Sequence, residues 1–158
     1  SHGAEKGQVM DVTEALAMVM RLCLMFEGLY LRPYLCPTGV PTIGVGSTRY
    51  LDGRAVRLSD PPITKEHALI LLRYKILAEY MPGVRRLCGA VNEPGRLAAL
   101  TDLAYNIGLG NLRASTLRKR VLAGQWDLVP RELRRWVRGG GRVLPGLVRR
   151  REAEIEIL

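Results

Sequence analysis

Hydrophobic residues recur every three or four positions in several stretches of this chain, and this spacing predicts helices. In the first stretch, the apolar face consists of Leu16, Val19, Met20, Cys23 and Leu24. Asp11 is followed three residues later by Glu14, a pair typical of a capping box at a helix start. We therefore predict a helix that begins near Asp11 and ends near Glu27.

A second long helical pattern follows Thr64, whose hydroxyl can cap it. Its apolar positions are Ala68, Leu71, Leu72, Ile76, Leu77 and Tyr80. We expect Pro82-Gly83 to stop this helix. Further helices are predicted at residues 94–106, 115–123, 126–138 and 144–158, where glycines separate the periodic segments.

Residues 29–58 interrupt the helical spacing and are rich in glycine and proline. The alternation in Thr42–Gly46 predicts a strand, and Asp52-Gly53 is typical of a hairpin turn. The pattern as a whole predicts one α+β domain, in which a small sheet lobe precedes a larger helical lobe. We expect residues 11–63 to form the first helix and the sheet lobe, 64–88 the inter-lobe helix, and 89–158 the helical lobe.

Composition supports a globular protein, because 47% of the 158 residues are hydrophobic and 25% are charged. The apolar run at 15–26 is about half the ~20 residues that a membrane span needs, so we expect a buried helix and no transmembrane segment. Ser1-His2-Gly3 is typical of an expression-tag remnant, and we expect residues 1–10 to be this remnant and a flexible tail, from which a native targeting segment has been lost. The three cysteines and two histidines show no metal-ligand spacing, so no metal or cofactor is expected.

The net charge is +9, and the excess arginine and lysine lies mainly between residues 118 and 151. A basic surface of this kind attracts polyanions such as nucleic acid, an anionic membrane or a bacterial envelope. Each arginine taken singly is as well explained by a solvated helix face or a neighbouring glutamate. We expect no nucleic-acid binding, because no helix-turn-helix or aromatic stacking platform accompanies the charge.

Several collinear segments resemble the phage-type lysozymes, the endolysins that cleave peptidoglycan. The segments are EGL at 27–29, YLCP at 34–37, GVPTIG at 39–44, AAL at 98–100, AYNIG at 104–108, STL at 115–117, Trp136, and GGRVLPGLVRRRE at 140–152. The resemblance implies a lysozyme-like fold, with a small antiparallel sheet lobe, a larger helical lobe and a cleft between them. It also implies a monomer that requires no cofactor.

The family's catalytic triplet is Glu, then Asp or in some members Cys, then Thr, and it falls on Glu27, Cys36 and Thr42. Glycoside hydrolysis needs an acid for the leaving oxygen and a polar group on the opposite face of the sugar. Glu27 ends an apolar helix, where partial desolvation would keep a proton available. The resemblance further implies that one arginine among residues 149–151 approaches Glu27. It implies an inverting reaction in which Thr42 helps to place the water, although Thr42 is also an ordinary strand residue.

Cys36 departs from the commoner aspartate, and three roles stay open for it. It is a neutral thiol that holds water, a thiolate if nearby arginines lower its pKa, or a small buried hydrophobic residue. Cys23 lies one helical turn before Glu27, so a Cys23–Cys36 disulfide that blocks the site is a further alternative. Ser47 is a second departure, because it stands where the family commonly has a histidine that forms a structural ion pair.

The family lines its cleft at the positions of Tyr105 and Asn106, and Trp136 aligns with a residue beside the peptide of the substrate, although packing in the core explains Trp136 equally well. We predict an endolysin-type muramidase that cuts the β-1,4 bond between N-acetylmuramic acid and N-acetylglucosamine and lyses the cell. We expect it in the host cytoplasm before release and in the periplasm or cell wall when it acts. A lytic transglycosylase and a degenerate wall-binding domain remain alternatives.

Overall fold

The computed structural model describes residues 11–158, so the tag remnant and tail expected at 1–10 lie outside the described residues. The first helix, α1, spans Thr13–Glu27 and buries Ala15, Leu16, Val19, Leu22 and Cys23. Its end at Glu27 is confirmed, but its predicted start is two residues early. No capping box forms: Val12 occupies the N-cap position, and the Asp11 carboxylate accepts hydrogen bonds from the Thr13 amide at 2.9 Å and hydroxyl at 2.6 Å.

The sheet lobe contains an antiparallel pair, β1 (Tyr30–Leu35) and β2 (Pro41–Gly44), in which Tyr34 lies opposite Thr42. The strand predicted to reach Gly46 ends at Gly44, because the chain turns back there and Ile43 and Ser47 exchange backbone hydrogen bonds at 2.8 and 2.9 Å. Gly44 and Gly46 both have positive φ, which glycine adopts without strain.

The turn predicted at Asp52-Gly53 is confirmed. The Gly53 amide donates to the Tyr50 carbonyl, and the Tyr50 amide donates to the Arg54 carbonyl, both at 3.0 Å. These bonds close a tight loop in the second half of the sheet lobe.

The inter-lobe helix consists of α2 (Lys65–Lys75), a π-helical turn (Ile76–Tyr80) and α3 (Met81–Cys88). Thr64 caps it as predicted, since its hydroxyl accepts from the His67 amide at 3.0 Å. The prediction that Pro82-Gly83 stops the helix is wrong. The preceding turn widens so that the Met81 amide donates to the Ile76 carbonyl, and Pro82 then sits in the first turn of α3, where its missing N–H costs little.

The helical lobe begins with α4 (Pro94–Ile107), close to the predicted helix at 94–106. It continues with α5 (Leu109–Ala114) and α6 (Thr116–Leu122), which Ser115 caps. The sequence pattern does not predict α5, because the glycines at 108 and 110 are typical of the ends of helices. In the structure only Gly108 turns the chain, with φ of 87°, and Gly110 is helical.

The predicted helix at 126–138 is wrong in its second half. A short 3₁₀ turn (Trp126–Leu128) leads into α7 (Val129–Leu133), which ends five residues early. A small antiparallel hairpin follows, β3 (Arg138–Gly139) and β4 (Arg142–Val143), and α8 spans Pro145–Glu156. The glycines at 140 and 141 both have positive φ, which lets the chain reverse between β3 and β4.

Two separate cores confirm the two-lobed α+β organisation. The large core surrounds α4, whose residues from Leu97 to Ala104 are all buried against α1, α3 and α8. A small core of Ile43, Val56 and Leu71 lies between the sheet lobe and α2. In residues 11–158, no helix is both long enough and apolar enough to span a membrane.

Candidate active site

Glu27 is the last residue of α1, and its side chain is 25% exposed. Its Oε1 atom accepts a hydrogen bond from Arg150 Nη1 at 2.6 Å. The structure thus identifies Arg150, from α8, as the arginine that approaches Glu27. This contact agrees with the expectation that one arginine among residues 149–151 approaches Glu27.

Arg150 is held from behind by Asp102 of α4. Arg150 Nε donates to Asp102 Oδ2 at 2.9 Å, and Nη2 donates to Oδ1 at 2.8 Å. Arg150 is 3% exposed and Asp102 is 0% exposed, so this is a buried bidentate ion pair. The Cys23 thiol also donates to Asp102 Oδ1, at 3.5 Å.

We did not select Asp102 from the sequence, although a signal was present. It is the lone carboxylate in the apolar run at 97–104 of α4. It also precedes Tyr105 and Asn106 by three and four residues, which places all three on one face of the helix. A buried charge is retained only when it is paired, so this pattern indicates a partner.

A second buried pair fastens α8. Arg151 Nε lies 2.8 Å from Glu154 Oε1, and Arg151 Nη1 donates to the Trp136 carbonyl at 3.3 Å. Burial, and then the neighbouring Asp102 carboxylate, raise the pKa of Glu154 well above its usual range. Arg150 and Arg151, two consecutive residues of α8, are thus both buried and both paired with a carboxyl group.

The turn at Gly46 lies on the other side of Glu27. A Cβ atom added to Gly46 would lie 3.5 Å from Glu27 Oε2 and 3.3 Å from the Tyr105 hydroxyl. Tyr105 donates this hydroxyl to the Val45 carbonyl, and its ring lies 5.0 Å from that of Tyr80. Tyr105 therefore ties the sheet-lobe turn to α4 beside the second oxygen of Glu27.

Cys36 and Thr42 lie on the two sides of the β1–β2 hairpin. Cys36 Sγ is 3.0 Å from the Thr38 hydroxyl, and Thr42 donates its hydroxyl to the Val40 carbonyl at 2.9 Å. Hydrogen bonds from the Thr38 side chain, then from the Val40 backbone, lower the pKa of Cys36 to about 7. Of the alternatives that the sequence left open, the thiolate had arginines as the cause of its lowered pKa; in the structure the causes are hydrogen bonds within the hairpin.

Tyr34 connects this hairpin with Glu27. Burial raises the pKa of Tyr34, and the negative charges of Glu27, Tyr30 and Cys36 raise it further. Tyr34 belongs to β1, the strand that begins three residues after Glu27 and ends one residue before Cys36.

The three cysteines, Cys23, Cys36 and Cys88, are free thiols. Cys23 is buried and engaged with Asp102, and burial is the main cause that raises its pKa. The structure thus contains no Cys23–Cys36 disulfide. Ser47 is also buried, and its hydroxyl oxygen has no hydrogen-bond partner within residues 11–158. The contact that a histidine makes in the family is accordingly missing here.

A groove of about 990 Å³ opens beside Glu27. Asn106 lines it together with the end of α1 and residues along the length of α8, from Pro145 to Glu156. Trp136 lies elsewhere: it packs partly buried against the large core and lines a separate cleft of about 300 Å³ with Glu132 and Arg135. Within the part of the chain that the structure describes, no three His, Cys, Asp or Glu side chains are grouped so as to hold a metal ion.

Comparisons with known proteins show which family the chain resembles. The phage lysozyme family model matches residues 25–154. The SAR-endolysin of Haemophilus phage HP1 (strain HP1c1) is 30% identical over 152 residues, which cover 89% of this chain and 76% of that protein. The endolysin of Bacillus phage B103 is 39% identical over 92 residues, which cover 58% of this chain and only 35% of that longer protein. The solved endolysin from Escherichia coli O157:H7 phage FAHEc1 is 30% identical, with a TM-score of 0.70 and coverage of 96% of this chain and 94% of that one.

Proposed function

This chain belongs to the phage lysozyme family, and on that premise we propose that it hydrolyses the β-1,4 bond between N-acetylmuramic acid and N-acetylglucosamine in peptidoglycan. The observation that carries the proposal is the state of Glu27. One of its oxygens is bound by Arg150 and the other faces the Gly46 turn, and Glu27 also lines the groove that it forms with Asn106 and α8.

Glu27 is the proposed general acid. Oε1 accepts from the Arg150 guanidinium, so the transferable proton resides on Oε2, the oxygen without an arginine partner. Protonation of the leaving glycosidic oxygen requires an approach of about 2.6–3.2 Å to that atom. A Cβ atom at Gly46 would lie 3.5 Å from Oε2, so glycine places no side chain of its own beside this oxygen.

Cys36 and Thr42 are the proposed groups for the water on the opposite face of the sugar. With a pKa of about 7, a large fraction of Cys36 is thiolate at neutral pH and can accept the proton of an attacking water. Thr42 supports Cys36 from the facing strand and helps to place the water. Direct attack by water gives single displacement with inversion at the anomeric carbon.

Substrate contacts are proposed for three residues. Asn106 lines the groove beside Glu27, and Tyr105 holds the turn at Val45 and Gly46 on the other side of Glu27. Trp136 would contact the peptide of the substrate only if bound wall extends to the separate cleft that it lines. We further propose a monomer that is made in the host cytoplasm, acts in the periplasm or wall, and is attracted to the anionic envelope by its net charge of +9.

Digestion of purified peptidoglycan followed by mass analysis of the released muropeptides tests this function. A hydrolase leaves a reducing muramic acid, whereas a lytic transglycosylase leaves an anhydro sugar that is lighter by one water, about 18 Da. The transglycosylase is a second candidate because a cysteine replaces the usual aspartate at position 36. Anhydro products would support it, and intact wall with bound protein would indicate a binding domain.

A further inference from the structure

The guanidinium of Arg150 lies between two carboxylates that differ in their surroundings. Asp102 is buried and accepts from Nε and Nη2, whereas Glu27 borders the groove and accepts from Nη1. A planar guanidinium with two donors held by one carboxylate cannot rotate freely, so the direction of its remaining donor is fixed.

We propose that Asp102 is a positioning residue for the acid: by engaging two donors of Arg150, it limits Arg150 to one oxygen of Glu27 and leaves the other oxygen for the transferred proton. The inference rests on the proposed function, because it assigns Asp102 a role in the same reaction. Asp102 does not itself border the groove.

Charge supports the geometry. Burial alone would raise the pKa of Asp102, but the neighbouring Glu154 and Arg150 lower it below its usual range, so Asp102 is ionised. A negative charge at this position offsets part of the positive charge that Arg150 presents to Glu27. Without it, Arg150 would be free to bind both oxygens of Glu27 and to hold it as a carboxylate.

Arg149, Glu152 and Glu156 of α8 line the same groove as Glu27. The charge of Glu27 also acts on four titratable groups from α1, β1, the π-helical turn and α4, namely Cys23, Tyr34, Tyr80 and Tyr105. Burial is the first cause that raises the pKa of each, so all four are neutral near pH 7. Arg150 is the cation that donates to Glu27, and Asp102 controls how Arg150 is placed.

Asp102→Asn tests the role with little change in shape. We expect kcat on peptidoglycan to fall about ten- to hundredfold while KM changes less than about twofold, because the acid is misplaced but the groove is intact. The alkaline limb of the pH–activity profile should move to lower pH by about one unit, because a released Arg150 favours ionised Glu27.

Asp60→Asn is the matched control. Asp60 also pairs with an arginine, Arg54 at 3.2 Å, and accepts from the Tyr50 hydroxyl at 2.7 Å, but it belongs to the sheet lobe and contacts no proposed site residue. Its loss should lower the melting temperature and leave kcat and the alkaline limb at the parent values.

Three results would overturn the inference. If Asp102→Asn matches Asp60→Asn in kcat and in the alkaline limb, Asp102 is only structural, while the proposed function stands. If Asp102→Asn does not fold, Arg150→Lys replaces it, since lysine keeps the charge but lacks the fork; parent kcat in that variant rejects the inference. Failure of the parent itself to cut peptidoglycan would reject the proposed function and this inference together.

Discussion

The missing side chain at Gly46 gives a sharp test of the site, because two separate effects of Gly46→Ala can be measured. The backbone effect comes from φ of 74°, a conformation that costs an alanine about 1–2 kcal/mol. For a chain of this length that cost lowers Tm by about 2–8 °C. The local effect comes from the new methyl group, which would lie 3.5 Å from Glu27 Oε2 and 3.3 Å from the Tyr105 hydroxyl.

The methyl group would occupy space that a glycosidic oxygen needs in order to reach Oε2, so we expect kcat/KM for wall lysis to fall at least about tenfold. Gly53→Ala is the matched control, because Gly53 has φ of 85° and open space around its Cα. It should lose similar stability and keep parent activity. Thermal melts and turbidity assays on purified walls measure both effects, and equal activity of the two variants would refute our placement of Oε2.

Four further predictions concern Cys36, Thr38, Glu154 and the surface charge. If Cys36 acts as a thiolate, parent activity rises with pH through about 7, Cys36→Asp keeps activity, and Cys36→Ser is as poor as Cys36→Ala; a serine variant near parent activity would contradict this. Thr38→Val should move the pH dependence of Cys36 alkylation upward, because the largest cause of its lowered pKa is removed. The raised pKa of Glu154 means that its stabilising contribution is present at low pH and is lost as pH rises from the unfolded value near ~4.3 toward the folded pKa, so the Tm of the parent should fall relative to that of Glu154→Gln as pH rises above about 4.3. Lysis of whole cells should fall steeply above about 0.2 M salt, where charges are screened within ~8 Å, and a flat salt profile would show that the arginines serve internal pairs.

Local patterns predicted the elements whose signals are local. The end of α1 at Glu27, the Thr64 cap and the turn at Asp52-Gly53 each depend on residues within one turn of the chain. The inter-lobe helix shows the limit of such rules. A proline need not stop a helix when the preceding turn rearranges its hydrogen bonds so that the missing N–H of the proline is not needed. The π-helical turn before Pro82 does so here.

The site itself was predictable only in part. The resemblance to the family pointed to Glu27 and its hairpin partners, but Asp102 reaches Arg150 across 48 positions and Arg150 reaches Glu27 across 123. Successive helical residues point about 100° apart, so which of three consecutive arginines faces Glu27 depends on how α8 docks. The spacing of residues in the sequence does not reveal the orientation in which α8 docks.

The central claim is that Glu27 donates the proton that breaks the glycosidic bond. The most direct measurement compares muropeptide release from purified peptidoglycan by the parent and by Glu27→Gln, with circular dichroism to show that the variant is folded. Glutamine keeps the shape of the side chain but has no proton to transfer, so the account predicts folded protein and release reduced by more than about a hundredfold. Release by the folded variant within about tenfold of the parent would contradict the account.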